Sequence, residues 1–447
     1  MDQFIFDRDR SRSIVKIKVS QKDECYKMKK GLVCIGAVLL IVAMILIPLE
    51  FMHHQKKDLP SAFTKQEAST LPREPVTEQV PIETQEPLEA VMVAKIQAQR
   101  VDSTHIKIIW SDELDALVTG YSIERYDNRT LTHNHTWISI GMQSIAEHVE
   151  GQSYEFVDAL ESADPQQYVY RVVPVIKDSN QYVAADGPMV LCSNWKICID
   201  PGHYAGKNEV PGPDSYGYAE GDFTLKLALE LRERLEKNYG ITVCMTRDSE
   251  SISIGGYTDE SLDAGHISLR GAYAAEQDCN LFISVHTNAN EDNANGAATF
   301  QQPVSIDKPI IIANDLALTS ETLRTMCNQI GKNLAEVSFD RGISSHKDFT
   351  EITGKNAWEW TTSYNDSTDE VGTVVCRYGN HGQYYGVLRG AQEAAVPGMI
   401  IEHGYHTVAE VRDAAQNGDL KIVWADADAQ GIAVGLSFQE LAEQNER

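Results

Sequence analysis

Four hydropathy regimes succeed one another along the chain. Leu32 to Leu49 is an uncharged, almost wholly apolar run of 18 residues, about the shortest that crosses a bilayer as a helix. The character then changes at once: "HHQKKDLPSAFTKQEASTLPREPVTEQVPIETQEPLEA" carries five prolines, many polar residues and few large apolar ones. Such a stretch cannot bury enough surface to offset the entropy of ordering, so an extended tether is expected. From about residue 92 apolar and polar positions alternate. "HIKIIW" sets Ile106, Ile108 and Trp110 on one face, and "GYSIERY", "TWISIG", "YEFVDA" and "YVYRVVPVI" follow at the intervals of short antiparallel strands. About 100 residues of this kind, without a long helical period, predict a small all-β sandwich.

At Trp195 strands and helices begin to alternate. "KICIDPG", "ITVCMTR", "NLFISVHTNA" and "PGMIIEHGY" read as buried strands. "FTLKLALELRERLEKNYG", "ISLRGAYAAEQDC", "SETLRTMCNQIGKNLAEVSF", "GQYYGVLRGAQEAA" and "DAQGIAVGLSFQELAEQ" read as helices. This alternation predicts an α/β domain with a mostly parallel sheet flanked by helices. The expected organisation is a basic segment (1–30), a transmembrane signal anchor (31–51), a disordered tether (52–91), the sandwich (92–192) and the α/β domain (195–445).

Charge sharpens that picture. The formal net charge is −26, yet residues 1–30 hold nine basic and five acidic side chains. Basic residues ahead of the apolar run favour a cytoplasmic N-terminus, with everything after the span outside the cytoplasm. The acidic body excludes nucleic acid as a partner, since that binding needs basic clusters. Of the eight cysteines, the six beyond the span form no C-x-x-C pair, which argues against a structural zinc site built on thiolates. Cys198, Cys244 and Cys279 lie in or beside apolar runs and read as inert buried thiols.

The candidate chemistry gathers at strand ends. His203 follows "ICID", His286 follows "LFISV", and Glu402 follows "PGMII"; ligands and catalytic groups of open α/β sheets collect at that edge. Pro201 and Gly202 force the chain to leave the strand abruptly before His203. Glu220 stands just ahead of a helix. Each has a plain structural reading: a solvent-facing histidine, a carboxylate favouring a helix N-terminus, a salt-bridged acid. Together, two histidines and a glutamate form a catalytic zinc ligand set, and a remaining carboxylate can serve as the base.

The motifs "IDPGHYAG", "AEGDFTLKLALELRERLE", "TRDSE", "ISLRGAYAAEQDCNLFISVHTNA", "DRGI", "GVLR" and "VPGMIIEHGYHT" occur in an order that resembles the zinc-dependent N-acetylmuramoyl-L-alanine amidases of the amidase-3 type, over nearly all of residues 196–440. That resemblance implies Zn2+ held by His203, Glu220 and His286, with Glu402 as the catalytic carboxylate. It implies peptidoglycan as substrate and the amide between N-acetylmuramic acid and L-alanine as the bond cut. Joined to the anchor read from the apolar run, it gives the expectation of a single-pass protein of the bacterial cell membrane with its catalytic domain on the wall side. Arg247, Arg270 and Arg389 fall at family positions as scaffold or substrate-positioning groups. Thr407 departs from the family's asparagine, and His403 and His406 crowd the same loop, where they could compete for metal or contact substrate. The segment 347–380 exceeds the family core; Trp358, Trp360 and Tyr364 could stack on sugars there, or the segment could act as a lid or inhibitor. The resemblance also allows a protein regulator of the amidase domain. Alternatives are a silent or autoinhibited wall-binding protein, or a zinc peptidase cutting stem peptides. Residues 92–192 resemble a fibronectin type III module through Trp110, "TGYSIERY", "YEFVD" and "YVYRVVPV", a spacer or docking unit.

Overall fold

The computed structural model describes residues 88–111, 118–129, 136–146, 149, 151–177, 182–289, 309–340, 374–376, 378–379 and 382–441. The expected basic segment and anchor, the tether up to residue 87, and Trp358, Trp360 and Tyr364 lie outside those residues. Among the described residues no helix is long and apolar enough to cross a membrane.

Seven antiparallel strands make two small sheets: β1 (Lys95–Asp102), β2 (His105–Ser111), β3 (Val118–Asp127), β4 (Ile138–Ser144), β5 (Ser153–Ala159), β6 (Gln167–Ile176) and β7 (Val190–Ser193). One sheet has the order β1-β2-β5, the other β4-β3-β6-β7. Ile106, Ile108 and Trp110 all face the common core, as strict alternation along β2 requires. Trp110, Tyr121 and Tyr154 meet there with ring centroids 5.0 to 5.9 Å apart. β1 and β7 escape a periodicity reading, because the inner face of β1 carries Arg100 and Asp102 while Val101 is exposed, and β7 is only four residues long.

β7 runs into the second domain across only Asn194 and Trp195. There β8 (Lys196–Pro201), β9 (Thr242–Met245), β10 (Leu281–Asn288), β11 (Ile310–Ala313), β12 (Val374–Val375) and β13 (Gly398–Tyr405) form one sheet of order β9-β8-β10-β13-β11-β12. Only the β13–β11 pairing is antiparallel, so the sheet is mixed. Helix α1 (Glu220–Tyr239) repeats Phe223, Leu227, Leu231 and Leu235 at a spacing of four, which builds one apolar face. It stops at Gly240, whose φ of 63° is left-handed and whose N–H caps Leu235 O. α1, α3 (Glu321–Asp340) and α6 (Leu420–Leu436) cover one side of the sheet through Leu227, Met326, Ile330, Trp424 and Ile432. α2 (Ser268–Glu276) and α4 (Gly386–Glu393) cover the other through Ala274, Leu388 and Ala391; α5 is Ala409–Asn417.

The last helix corrects the sequence reading, which placed it over 428–444. It starts at Leu420 and ends at Leu436, where Ser437 turns left-handed (φ 60°) and Phe438 returns to the core. Most of its residues are buried, so the polar stripe that would mark its start is missing. Its end meets the sandwich. Gln167 Nε2 donates to Tyr239 O (2.8 Å) and Gln439 O (3.0 Å), and Asn128 Nδ2 donates to Gln439 O (2.9 Å). Arg100 reaches from β1 to Asn194 O (2.7 Å) and to Asp278 Oδ2 (3.0 Å).

Candidate metal centre and its neighbouring carboxylate

Three chain segments bring the site together at the carboxyl ends of β8 and β10 and the first turn of α1. β8 ends at Pro201, and Gly202 N–H still bonds Val285 O of β10 (2.9 Å). A Cβ at Gly202 would lie 2.4 Å from the His286 ring, so only glycine lets β8 and that imidazole approach. His203 follows with φ 61°, a left-handed conformation that costs a histidine energy. Arg270 Nη2 holds it there by donating to His203 O (2.7 Å). Arg270 also bonds Asp200 Oδ1 (3.0 Å) and Asp263 Oδ1 (3.2 Å), and Asp200 Oδ2 accepts from Ser284 Oγ (2.7 Å). This buried network ties β8, α2 and β10 into one block.

His203, Glu220 and His286 each offer one ligand atom, and these atoms lie within 4.8 Å of one another. His203 Nε2 is 3.3 Å from Glu220 Oε2, and His286 Nδ1 is 3.0 Å from Glu220 Oε1. Thr287 N–H and Asn208 Nδ2 also donate to this carboxylate (3.0 and 2.7 Å). Burial opposes the charge of Glu220, but the two imidazoles outweigh it and hold its pKa well below the usual carboxylate range. Burial likewise opposes charge on His203, yet Asp263 and Glu220 together raise its pKa to about 9. Asp263, with Oδ2 3.5 Å from His203 Nδ1, and Asn208 carry no motif signal in the sequence. Asn208 lies in a loop and Asp263 inside the short helix Asp259–Gly265, positions whose polarity looks ordinary without the fold.

Glu402 sits on β13, directly beside His286 in the parallel register. Its buried Oε2 has no hydrogen-bond partner. Burial pushes its pKa up to about 7 and the negative Glu220 adds to the rise, while His286 and His203 pull it down. Of the crowding histidines, His403 has both ring nitrogens engaged: Nδ1 with His286 O (3.0 Å) and Nε2 with Asp428 Oδ2 (2.7 Å). His406 Nδ1 meets Thr287 Oγ1 (3.0 Å), which in turn meets the Tyr218 hydroxyl (2.7 Å). Arg247 is buried, and its guanidinium donates to Pro201, Gly202, Gly221 and Ser249 carbonyls; that is the placement of a scaffold residue. Arg389 donates to Gln383 O (3.2 Å).

Residues 197–434 match the family model described as N-acetylmuramoyl-L-alanine amidase. The chain belongs to that amidase family. No match is found among the curated proteins. Solved structures similar to this amidase-family chain include the catalytic domain of CwlV, an N-acetylmuramoyl-L-alanine amidase from Bacillus (Paenibacillus) polymyxa var. colistinus (18% identity, 54% of this chain and 97% of that chain, TM-score 0.35). AmiC2 of Nostoc punctiforme shares 19% identity over 54% of this chain and 96% of its own, with a TM-score of 0.34. The CwlD amidase from Clostridioides difficile, solved in complex with the GerS lipoprotein, shares 17% over 55% and 99%, with a TM-score of 0.37. The donor set of this amidase-family site, two imidazoles and one carboxylate converging from three segments, has the chemistry of a catalytic zinc site.

Proposed function

We propose that the protein is a zinc-dependent peptidoglycan hydrolase that cleaves the amide joining the lactyl group of N-acetylmuramic acid to L-alanine. The observation that carries this reading is the convergence of His203, Glu220 and His286 beside Glu402, within a chain of the amidase family. His203, Glu220 and His286 would hold the ion. When bound, zinc supplies Lewis acidity to the scissile carbonyl and to water. Glu402 Oε2, which has no partner inside the protein, takes the proton of the attacking water and returns it to the departing alanine nitrogen. A carboxylate poised near neutrality suits both halves of that exchange. Asp263 and Arg270 orient His203 through its ring and its carbonyl, and Thr287 N–H and Asn208 fix Glu220.

The remaining chain gives this activity its place. The anchor at 31–51 holds the protein in the bacterial cell membrane with its N-terminus cytoplasmic, and the fibronectin type III-like module acts as a spacer. The tether expected over 52–91 ends earlier, because Glu89–Val91 is a strand paired with Tyr182–Ala184. Arg389, Trp358 and Trp360 complete the proposal as substrate contacts, while Arg247 serves the scaffold. The test is digestion of purified peptidoglycan by the full chain in detergent, with and without a chelator, followed by mass spectrometry of the new termini. Chelator-sensitive exposure of N-terminal alanine, with about one zinc per chain, is the expected result. Cleavage between stem-peptide residues would instead identify a peptidase. A zinc-loaded, folded protein that releases nothing would identify a wall-binding or masked protein, and deletion of 347–380 would separate those two.

A further inference from the structure

Three thiols gather beneath α2, remote in chemistry from the site above. Cys198 lies in β8 and Cys244 in β9, and the two are direct register partners on neighbouring strands. Cys279 occupies the turn that enters β10, and its Sγ is 3.1 Å from Cys244 Sγ. Ordinary non-bonded heavy-atom contacts lie at roughly 3.5–4.0 Å, so these sulfurs are closer than packing alone brings them. Cys198 is fully buried, whereas Cys244 is half-buried on the edge strand of the sheet and can be reached from outside.

We propose that Cys244 and Cys279 form a reversible disulfide, an oxidation site distinct from the amidase centre. The alternative occupant of a three-thiol cluster is a soft metal ion. Tetrahedral coordination with metal–sulfur bonds of about 2.3 Å would hold two sulfurs roughly 3.8 Å apart. A separation of 3.1 Å falls short of that and needs only about 1 Å of closing to reach a disulfide bond. The surroundings also choose the attacking thiol. Hydrogen bonds with Cys198 and Cys279 lower the pKa of Cys244 and outweigh its burial, and the nearby Lys196 charge adds to the effect. Lys196 Nζ is held close by donating to Gln277 O (2.7 Å), two residues before Cys279. Cys279 shifts the opposite way, upwards.

The oxidant is a small-molecule disulfide. The Cys244 thiolate attacks one of its sulfurs, forming a mixed disulfide and expelling one thiolate. Cys279 then attacks the Cys244 sulfur, its proton passes to the departing thiolate, and the second small thiol leaves. Two protein thiols are oxidised and one small disulfide is reduced to two thiols. Cys198, sealed beneath the pair, stays a thiol. The bond spans β8 and ties β9 to the turn entering β10, the strand that carries His286. It closes a long loop, with partners 35 positions apart, and so restrains the unfolded chain.

The experiment takes the reduced full chain, exposes it to oxidised glutathione, blocks remaining thiols with iodoacetamide and maps peptides without reduction. The expected result is a Cys244–Cys279 peptide pair, two fewer alkylated cysteines per chain, reversal by dithiothreitol and a higher Tm for the oxidised form. Cys244→Ala and Cys279→Ala lose the linked pair; Cys192→Ala, in the sandwich core, keeps it and keeps the Tm shift. Full alkylation after oxidation overturns the proposal, as does a linkage through Cys198. Stoichiometric zinc that protects the three thiols until chelated also overturns it, in favour of a metal site. Each readout is independent of amidase activity, so failure here leaves the proposed reaction untouched.

Discussion

Glu220 and Glu402 flank the same two imidazoles, and their surroundings drive them in opposite directions. Glu220 accepts hydrogen bonds on both oxygens and stays ionised. Glu402 is left with a buried, unpartnered Oε2 and titrates near 7. Glu402→Gln is therefore expected to keep its zinc, measured by elemental analysis, while turnover falls by about 10²–10⁴, the usual worth of a general base. The same variant has a pH signature in the metal-free protein. A folded-state pKa raised from 4.5 to about 7 favours the protonated form, so wild type loses stability as pH rises through that window. Urea unfolding should find Glu402→Gln more stable at pH 8, by no more than about 3 kcal/mol, with the gain shrinking at pH 5. Equal stabilities at pH 8 would mean that Glu402 is not destabilised by burial. Gly202 makes the complementary case. Gly202→Ala drives a Cβ into the His286 ring, and the expected outcome is loss of bound zinc with far-UV circular dichroism retained.

At the scale of elements, the site depends on β8, β10 and β13 ending at one level and on α1 starting beside them. The Asp200–Arg270–Asp263 network holds that alignment, since Arg270 joins two carboxylates to the carbonyls of Pro201 and His203. Both Arg270 and Asp200 are buried, so removing the cation strands a buried carboxylate. Arg270→Met is expected to cost about 3–5 kcal/mol in urea unfolding. A loss under about 1 kcal/mol would show that Asp200 finds other compensation. Strands such as "LFISV" and "PGMII" announce themselves by continuous apolarity, and α1 by its four-residue spacing and Gly240 stop. α6 does not, because burial on most sides erases the stripe that periodicity detects. β11, "IIIA", is too short to stand out, and its antiparallel pairing with β13 is a property of the assembled sheet alone.

For the whole molecule, the decisive feature is the short link between sandwich and amidase domain. Gln167, Asn128 and Arg100 bond across it, with buried Gln167 contacting both the end of α1 and the chain after α6. A module joined in this way is held in one orientation by those bonds. Calorimetry of the full chain should show the two domains melting in one transition. Gln167→Ala combined with Arg100→Ala should split it in two, each lost hydrogen bond costing on the order of 1 kcal/mol. Two transitions already in wild type would refute a coupled junction.

Local chemistry was determined by the sequence itself. Apolar runs ending in His203, His286 and Glu402, a glutamate opening a helix, and Pro201-Gly202 breaking a strand are written in consecutive residues, because strand and helix signals are local. The convergence of those residues was not, since it depends on parallel register across β8, β10 and β13. Tertiary structure alone decided which histidines are available. His403 and His406 read like extra ligands in "EHGYHT", yet Asp428 and the His286 carbonyl engage one and Thr287 the other. It also decided that three cysteines from separate strands and a turn share one pocket of the core. Contacts between residues dozens of positions apart are set by how sheets and helices pack, and no local pattern encodes them.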